Sequence, residues 1–188
     1  VVSQTATPEK VDISGKKPEQ MVAEANRLFD SGSYAKALFL YKELIPIWAY
    51  DNRQPAMAAF CYLMMKDVKN AEKYINIAKL INQSDYLNYI VDSYIKLAKD
   101  KMVEAKTSMD EAIFFHTKND INELIEDLPI LAKNKINPGG TDEMIDYVKA
   151  KYPQRDNQYR QIELKMNEGR KKIRKNSKMP ISLNNLCD

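Results

Sequence analysis

Ala37, Ala71 and Ala105 stand 34 residues apart, and their surroundings travel with them. Three residues upstream are Tyr34, Val68 and Met102; four downstream are Tyr41, Ile75 and Met109; seven downstream are Leu44, Ala78 and Ala112. Twelve upstream, the small residues Ala25, Ala59 and Ser93 recur. Five columns at one spacing make a repeat rather than one long helix. The small residues let two antiparallel helices approach, and the large ones fill the space to the next pair. In "SGSYAKALFLYKELIP", Ser31 to Pro46, Gly32 followed by Tyr34 marks the tight turn, and Ala37 marks where the second helix meets the first. Such a pair cannot bury its apolar face alone, so stability comes from stacking.

These columns resemble the tetratricopeptide repeat (TPR), a helix–turn–helix of about 34 residues. The resemblance covers Pro18 to Asn119 in three units, 18–51, 52–85 and 86–119. The first matches best, through Ala25, Leu28, Gly32, Tyr34, Ala37 and Tyr41. The second carries Lys66 at the turn. The third is read with Lys99 at the turn, and it has Lys96 where a large apolar residue is usual; the usual terminal Pro is missing from all three. The resemblance implies an all-α fold class, a right-handed superhelical array of three TPR helix pairs with a helical C-terminal extension.

The flanks are read from local signals. Residues 1–17, polar and irregular with Pro8 and Gly15, read as a flexible tether. Residues 120–136, "DINELIEDLPILAKNKI", read as a capping helix that Pro129 breaks or kinks. "NPGG" at 137–140 reads as a turn. Thr141 then opens a helix, with Asp142 and Glu143 in its first turn, that ends near Pro153. A last helix is expected from about Asp156 to Asn176, so 137–188 forms the extension.

Several function classes recede on composition. The chain has 44% apolar and 29% charged residues and a formal charge of +3, which gives no reason to expect nucleic acid across its surface. No apolar run reaches the ~18 residues of a membrane span. The one histidine, His116, follows Phe114 and Phe115 at a helix end and reads as structural. There is no Gly-rich phosphate loop and no Cys-x-x-Cys. The carboxylates are scattered beside lysines, as on a solvated helical surface. No catalytic residue, metal site or cofactor is expected. Cys61, among Ala59, Phe60 and Tyr62, reads as a small buried hydrophobe, and its pairing with Cys187 stays open.

Two features remain for binding. By the resemblance, the first helix of each unit lines a concave groove. The groove-facing residues are then Val22, Asn26 and Phe29; Arg53, Ala56, Phe60 and Leu63; and Ile90, Tyr94 and Leu97. A TPR subfamily clamps a peptide's C-terminal carboxylates with Lys and Asn. Here Asn26 fits, but Val22 and Phe60 replace the clamp Lys and the second Asn, which argues against that clamp. Phe29, Phe60, Leu63 and Tyr94 are expected to offer pockets for apolar anchors on a partner protein or peptide, unless they are core. Phe60→Asp should then abolish partner binding in a folded protein. The second feature is "KMNEGRKKIRKNSK", 165–178, with seven basic residues and one acid. It carries +6, which leaves −3 on the rest of the chain. Arg170, Lys171, Lys172, Arg174 and Lys175 form a basic helix, with Tyr159, Ile162, Met166, Gly169 and Ile173 as its stripe. The stripe is expected to pack on the repeats with the lysines solvated. Docking of this helix on a membrane or an acidic partner is the alternative.

The junction Tyr50-Asp51-x-Arg53, within "WAYDNRQPAMAAFCYLMMKDVKNAEKYI", is similar to that of the class II chaperones of bacterial type III secretion. The opening Val-Val-Ser, without Met, is expected of a processed chain, which favours a periplasmic or envelope location over the bacterial cytoplasm. The expected function is a non-catalytic TPR scaffold that binds a partner polypeptide in its groove, in a bacterial secretion or cell-envelope assembly. The alternatives are a cytoplasmic secretion chaperone for a translocator, and a structural subunit that forms homo-oligomers through its extension.

Overall fold

The computed structural model describes residues 5–117 and 120–176; the side chains of 155–159, 163 and 172–176 lie outside that description. The described residues form helices and no strand. In order these are α1 (Pro18–Asp30), α2 (Tyr34–Leu44), α3 (Arg53–Met64), α4 (Val68–Ile81), α5 (Tyr86–Ala98), α6 (Met102–Phe115), α7 (Asn122–Ile125), α8 (Leu128–Lys133) and α9 (Pro138–Asn176). The chain divides into two compact units, 1–149 and 150–188.

Within the first unit, α1 packs on α2, α3 on α4 and α5 on α6, and α3 also packs on α2 and α5. The small columns sit at the closest approaches. Ala25, Ala37, Ala59, Ala71 and Ala105 are fully buried. Ser93 replaces Ala in the third pair, and its hydroxyl donates to the Ala105 carbonyl at 2.8 Å, so no polar group is stranded there. Tyr41, Ile75 and Met109 fill the next layer. Beyond Arg53 and Gln54, helix α3 is apolar all round, and all but two of its residues are buried, as a central helix requires.

Each pair turns through the same two hydrogen bonds. The N–H groups of Gly32, Lys66 and Asp100 donate to the carbonyls of Phe29, Leu63 and Leu97, and those of Ser33, Asp67 and Lys101 donate to Leu28, Tyr62 and Lys96. This is the Schellman closure, which needs one left-handed residue. Gly32, Lys66 and Asp100 supply it, at φ 80°, 63° and 58°. The third turn is therefore at Asp100, not Lys99, and the 34-residue period is kept. The closure recurs once more after α8, at Lys135 with φ 60°.

Lys96 stands where apolar residues are usual because it serves an ionic cluster. Asp92 accepts from Lys79 at 2.7 Å, from Lys96 at 2.9 Å and from the Ser108 hydroxyl at 2.6 Å. Burial alone would raise the Asp92 pKa, but these bonds outweigh it and hold the carboxyl below its ordinary range. The cluster ties α4, α5 and α6 together.

The flanks differ from expectation in four places. Residues 5–17 are not a free tether: Glu9 N–H donates to the Ala35 carbonyl at 3.0 Å and Ala6 N–H to Asp67 Oδ2 at 2.9 Å. Asp67 also caps α4 through Asn70 N–H, so one carboxylate serves both tasks. Residues 120–136 form two short helices rather than one cap. "NPGG" begins α9 instead of a turn, because Asn137 Oδ1 accepts from Gly140 N–H at 3.0 Å as an N-cap and Pro138 takes the first helical position. A Cβ on Gly140 would lie 2.6 Å from that Asn137 amide. Finally, α9 runs on through Pro153 rather than ending there. Pro153 cannot donate to the carbonyl of Lys149, the residue at which the two units part.

Candidate functional site

The inner face of α1, α3 and α5 carries a row of aromatic rings. The Phe29 and Phe60 centroids are 4.8 Å apart, and those of Phe60 and Tyr94 are 5.5 Å apart. This row is covered from within the chain. Leu124, Leu128 and Leu131 of α7 and α8 are fully buried. The Tyr94 hydroxyl reaches the Leu124 carbonyl at 3.5 Å. Asp127, between α7 and α8, lies close enough to Asp30 at the end of α1 to feel its charge.

Seven of the ten expected groove residues are accordingly core. Phe29, Phe60, Leu63, Ile90, Tyr94 and Leu97 are buried, Phe60 to 2% exposure, as is Ala56, and a ligand cannot reach them. The later segment lies beside this end of the face, where the Tyr94 hydroxyl meets the Leu124 carbonyl and Leu124, Leu128 and Leu131 are themselves buried.

The other end of the inner face is open. A pocket of about 530 Å³ lies at the N-terminal ends of the same three helices. Helix α1 contributes Val22 and Asn26, α3 contributes Arg53, Gln54 and Met57, and α5 contributes Tyr86 and Leu87. The linkers before α3 and α5 add Trp48, Asp51 and Asp85. Of the expected groove residues, Val22, half-buried, and Asn26 and Arg53, both exposed, thus line an accessible surface. The pocket continues into a shallow surface formed by residues 47–51, where Ile47 is 51% and Tyr50 97% exposed.

The polar walls are held by local bonds. Asp51 Oδ1 accepts from Arg53 N–H at 2.9 Å and Oδ2 from Gln54 Nε2 at 3.1 Å. Asp85 accepts from Leu87 N–H at 3.0 Å and from Asn52 Nδ2 at 3.0 Å. At the back, the Tyr41 hydroxyl donates to Asn26 Oδ1 at 2.7 Å, and burial pushes its pKa up. Gln54 is 3% exposed, and its Oε1 has no hydrogen-bond partner. Gln54, Met57, Trp48 and Asp85 were not foreseen. Gln54 carries the signal that was there to read, a long polar side chain ahead of an apolar run.

The fold is a tetratricopeptide-repeat array. Among solved structures the chain is similar to one described as the first TPR of Spaghetti (RPAP3) bound to the HSP90 peptide SRMEEVD, at 26% sequence identity and TM-score 0.50, over 65% of this chain and 97% of that one. No family model and no curated protein matches.

The remaining expected sites lie elsewhere. His116 is buried at the end of the α6 TPR helix, with a ring nitrogen 3.0 Å from Glu123 and its ring edge-on to Tyr86. It closes α6 onto α7. Cys61 is a free thiol inside α3, and burial pushes its pKa up; Cys187 lies outside the described residues. Arg170 and Lys171 are exposed on α9, and the side chains of Lys172, Arg174 and Lys175 lie outside the described residues. Ile162 and Met166 of the expected stripe are each more than half exposed. Among the described residues there is no group of three His, Cys, Asp or Glu suited to a metal, and no helix is long and apolar enough to cross a membrane.

Proposed function

We propose that this protein is a non-catalytic interaction module that takes a segment of a partner polypeptide in the open pocket at the N-terminal ends of α1, α3 and α5. The observation that carries this reading is the half-filled inner face. One end is sealed by the chain's own α7–α8, while the other keeps a mixed apolar and polar pocket beside the exposed Ile47 and Tyr50. Such pockets hold an anchor side chain and fix it with a few polar groups. The TPR neighbour solved with a peptide supports a peptide partner here as well. Val22 in place of a clamp Lys, and the carboxylates of Asp51 and Asp85 in the walls, speak against the same peptide chemistry.

The test is selection of peptides from a displayed library on the full chain, followed by measurement with Met57→Gln. Met57 is half-buried in the pocket, so the variant should fold and bind selected peptides about tenfold more weakly, the loss of one apolar anchor contact. Unchanged binding by the folded variant would remove the pocket from the account.

A second reading, self-association through the extension, draws on Ile162, Leu164 and Met166, which are all more than half exposed on α9. Sedimentation over a concentration series decides it: an oligomer dispersed by Ile162→Glu and Met166→Glu favours it, and a monomer throughout excludes it. The bacterial secretion or envelope setting rests on the sequence resemblance alone.

A further inference from the structure

We propose that the open pocket selects a cationic side chain, an arginine or lysine of the partner segment, held by Gln54, Asp51 and Asp85 with its stem on the apolar wall. This rests on the proposed function and deepens it by naming the partner's chemistry.

The pocket is rich in acceptors and short of donors. Each carboxylate accepts from two neutral donors: Asp51 from Arg53 N–H and Gln54 Nε2, Asp85 from Leu87 N–H and Asn52 Nδ2. An ionised carboxylate has about four acceptor sites, so each has capacity left. No ion pair among the described residues uses either carboxylate. Gln54 adds a sharper demand. Its NH₂ is committed to Asp51, which can only accept, so the amide orientation is set and Oε1 is left without a donor in a side chain 3% exposed. Buried acceptors are almost always paired, and Gln54, whose Oε1 is not, is one of the residues lining the pocket. The walls hold two carboxylates against the one guanidinium of Arg53, which is itself exposed.

A cation answers each demand. Arginine brings five N–H donors in a rigid fork and lysine three, and neither accepts. Their methylene stems lie well on apolar surface, here Val22, Met57 and Leu87. The Trp48 ring adds a face of the kind cations favour. The preference is opposite in sign to the three acidic residues of SRMEEVD, the peptide on the TPR neighbour.

The experiment selects displayed random peptides on the full 188-residue chain and measures the enriched ones by fluorescence anisotropy. Enriched peptides should carry Arg or Lys beside an apolar residue. Replacing that cation with Gln should cost tenfold or more, as should Asp51→Asn combined with Asp85→Asn. Because Asp85 caps α5, Arg53→Glu is the cleaner variant: Arg53 is exposed, the fold should be undisturbed, and binding should tighten severalfold at low salt. Raising salt from about 50 to about 500 mM should weaken binding. Enrichment of acidic peptides whose binding Arg53→Glu abolishes would overturn this inference and leave the module standing, with Arg53 as an anion anchor. Peptides whose binding ignores both Arg53→Glu and the cation replacement would also overturn it. Absence of any peptide weakened by Met57→Gln would overturn the module reading and this inference with it.

Discussion

Asp127 offers a test of the self-filled inner face. It sits between α7 and α8, half-buried, and burial together with the nearby Glu126 and Asp30 carboxylates pushes its pKa from 3.8 up to about 6. The folded protein therefore keeps this proton to about pH 6, whereas the unfolded chain releases it near 3.8. Between those values the folded state binds more protons, so stability is fully present below about pH 4 and is lost as pH rises through 6. A displacement of about two pH units corresponds to about 3 kcal/mol, and partial exposure reduces this to about 2 kcal/mol at pH 7. Asp127→Asn keeps a good N-cap residue for α8 and removes the charge. Thermal unfolding followed by circular dichroism from pH 4 to pH 8 is the assay. The variant should be more stable at pH 7 by about 2 kcal/mol, a rise of roughly 4–8 °C in Tm, and should equal the parent near pH 4. An equal pH slope in both proteins, or a variant less stable at pH 7, would refute the placement of Asp127 against the end of α1.

Three further outcomes follow from the packing. Phe60→Asp should unfold the protein rather than leave a folded non-binder, because it buries an unpaired carboxylate; Phe60→Ala should cost about 3–5 kcal/mol in urea denaturation, and a loss under 1 kcal/mol would contradict the covered aromatic row. Asp92→Ala should cost about 2–3 kcal/mol, less than the roughly 3–5 of a fully buried pair because Lys79 and Lys96 keep some solvent access; as the Asp92 pKa is lowered, the parent should lose this contribution as pH falls through the acid range, and the variant should not. Lys66→Gly and Asp100→Gly should each stabilise by about 1 kcal/mol by relieving a left-handed side-chain residue, and destabilisation by either would contradict the turn geometry.

The repeat was legible because close packing leaves small residues at fixed intervals, and Ala25, Ala59, Ala37, Ala71 and Ala105 are where the helices touch. The third turn was harder to read because no Gly marks it. The period pointed to Asp100, 34 residues after Lys66, and Asp tolerates the left-handed region better than most residues. The covered part of the groove is not legible in the sequence for a physical reason. An apolar inner face covered by a later segment has the same local pattern as one open to a ligand. The available clue was downstream, in Leu124, Leu128 and Leu131, spaced by four and three as one helical stripe. Pro153 has the local signature of a helix stop, but a helix can run through a proline at the cost of one hydrogen bond. Docking of residues 5–17 depends on Asp67 taking two backbone donors at once, which no local pattern announces.

The most direct test of the account is a ¹⁵N–¹H correlation spectrum of the full chain titrated with a library-selected peptide. The side-chain amides of Asn26 and Gln54 and the Trp48 indole N–H all line the pocket and give resolved signals of their own. The account predicts that these three move in proportion to peptide bound, while the backbone signals of α7 and α8 stay in place. Shifts confined to α9, or loss of the α7–α8 signals as the peptide displaces them from the aromatic row, would contradict it.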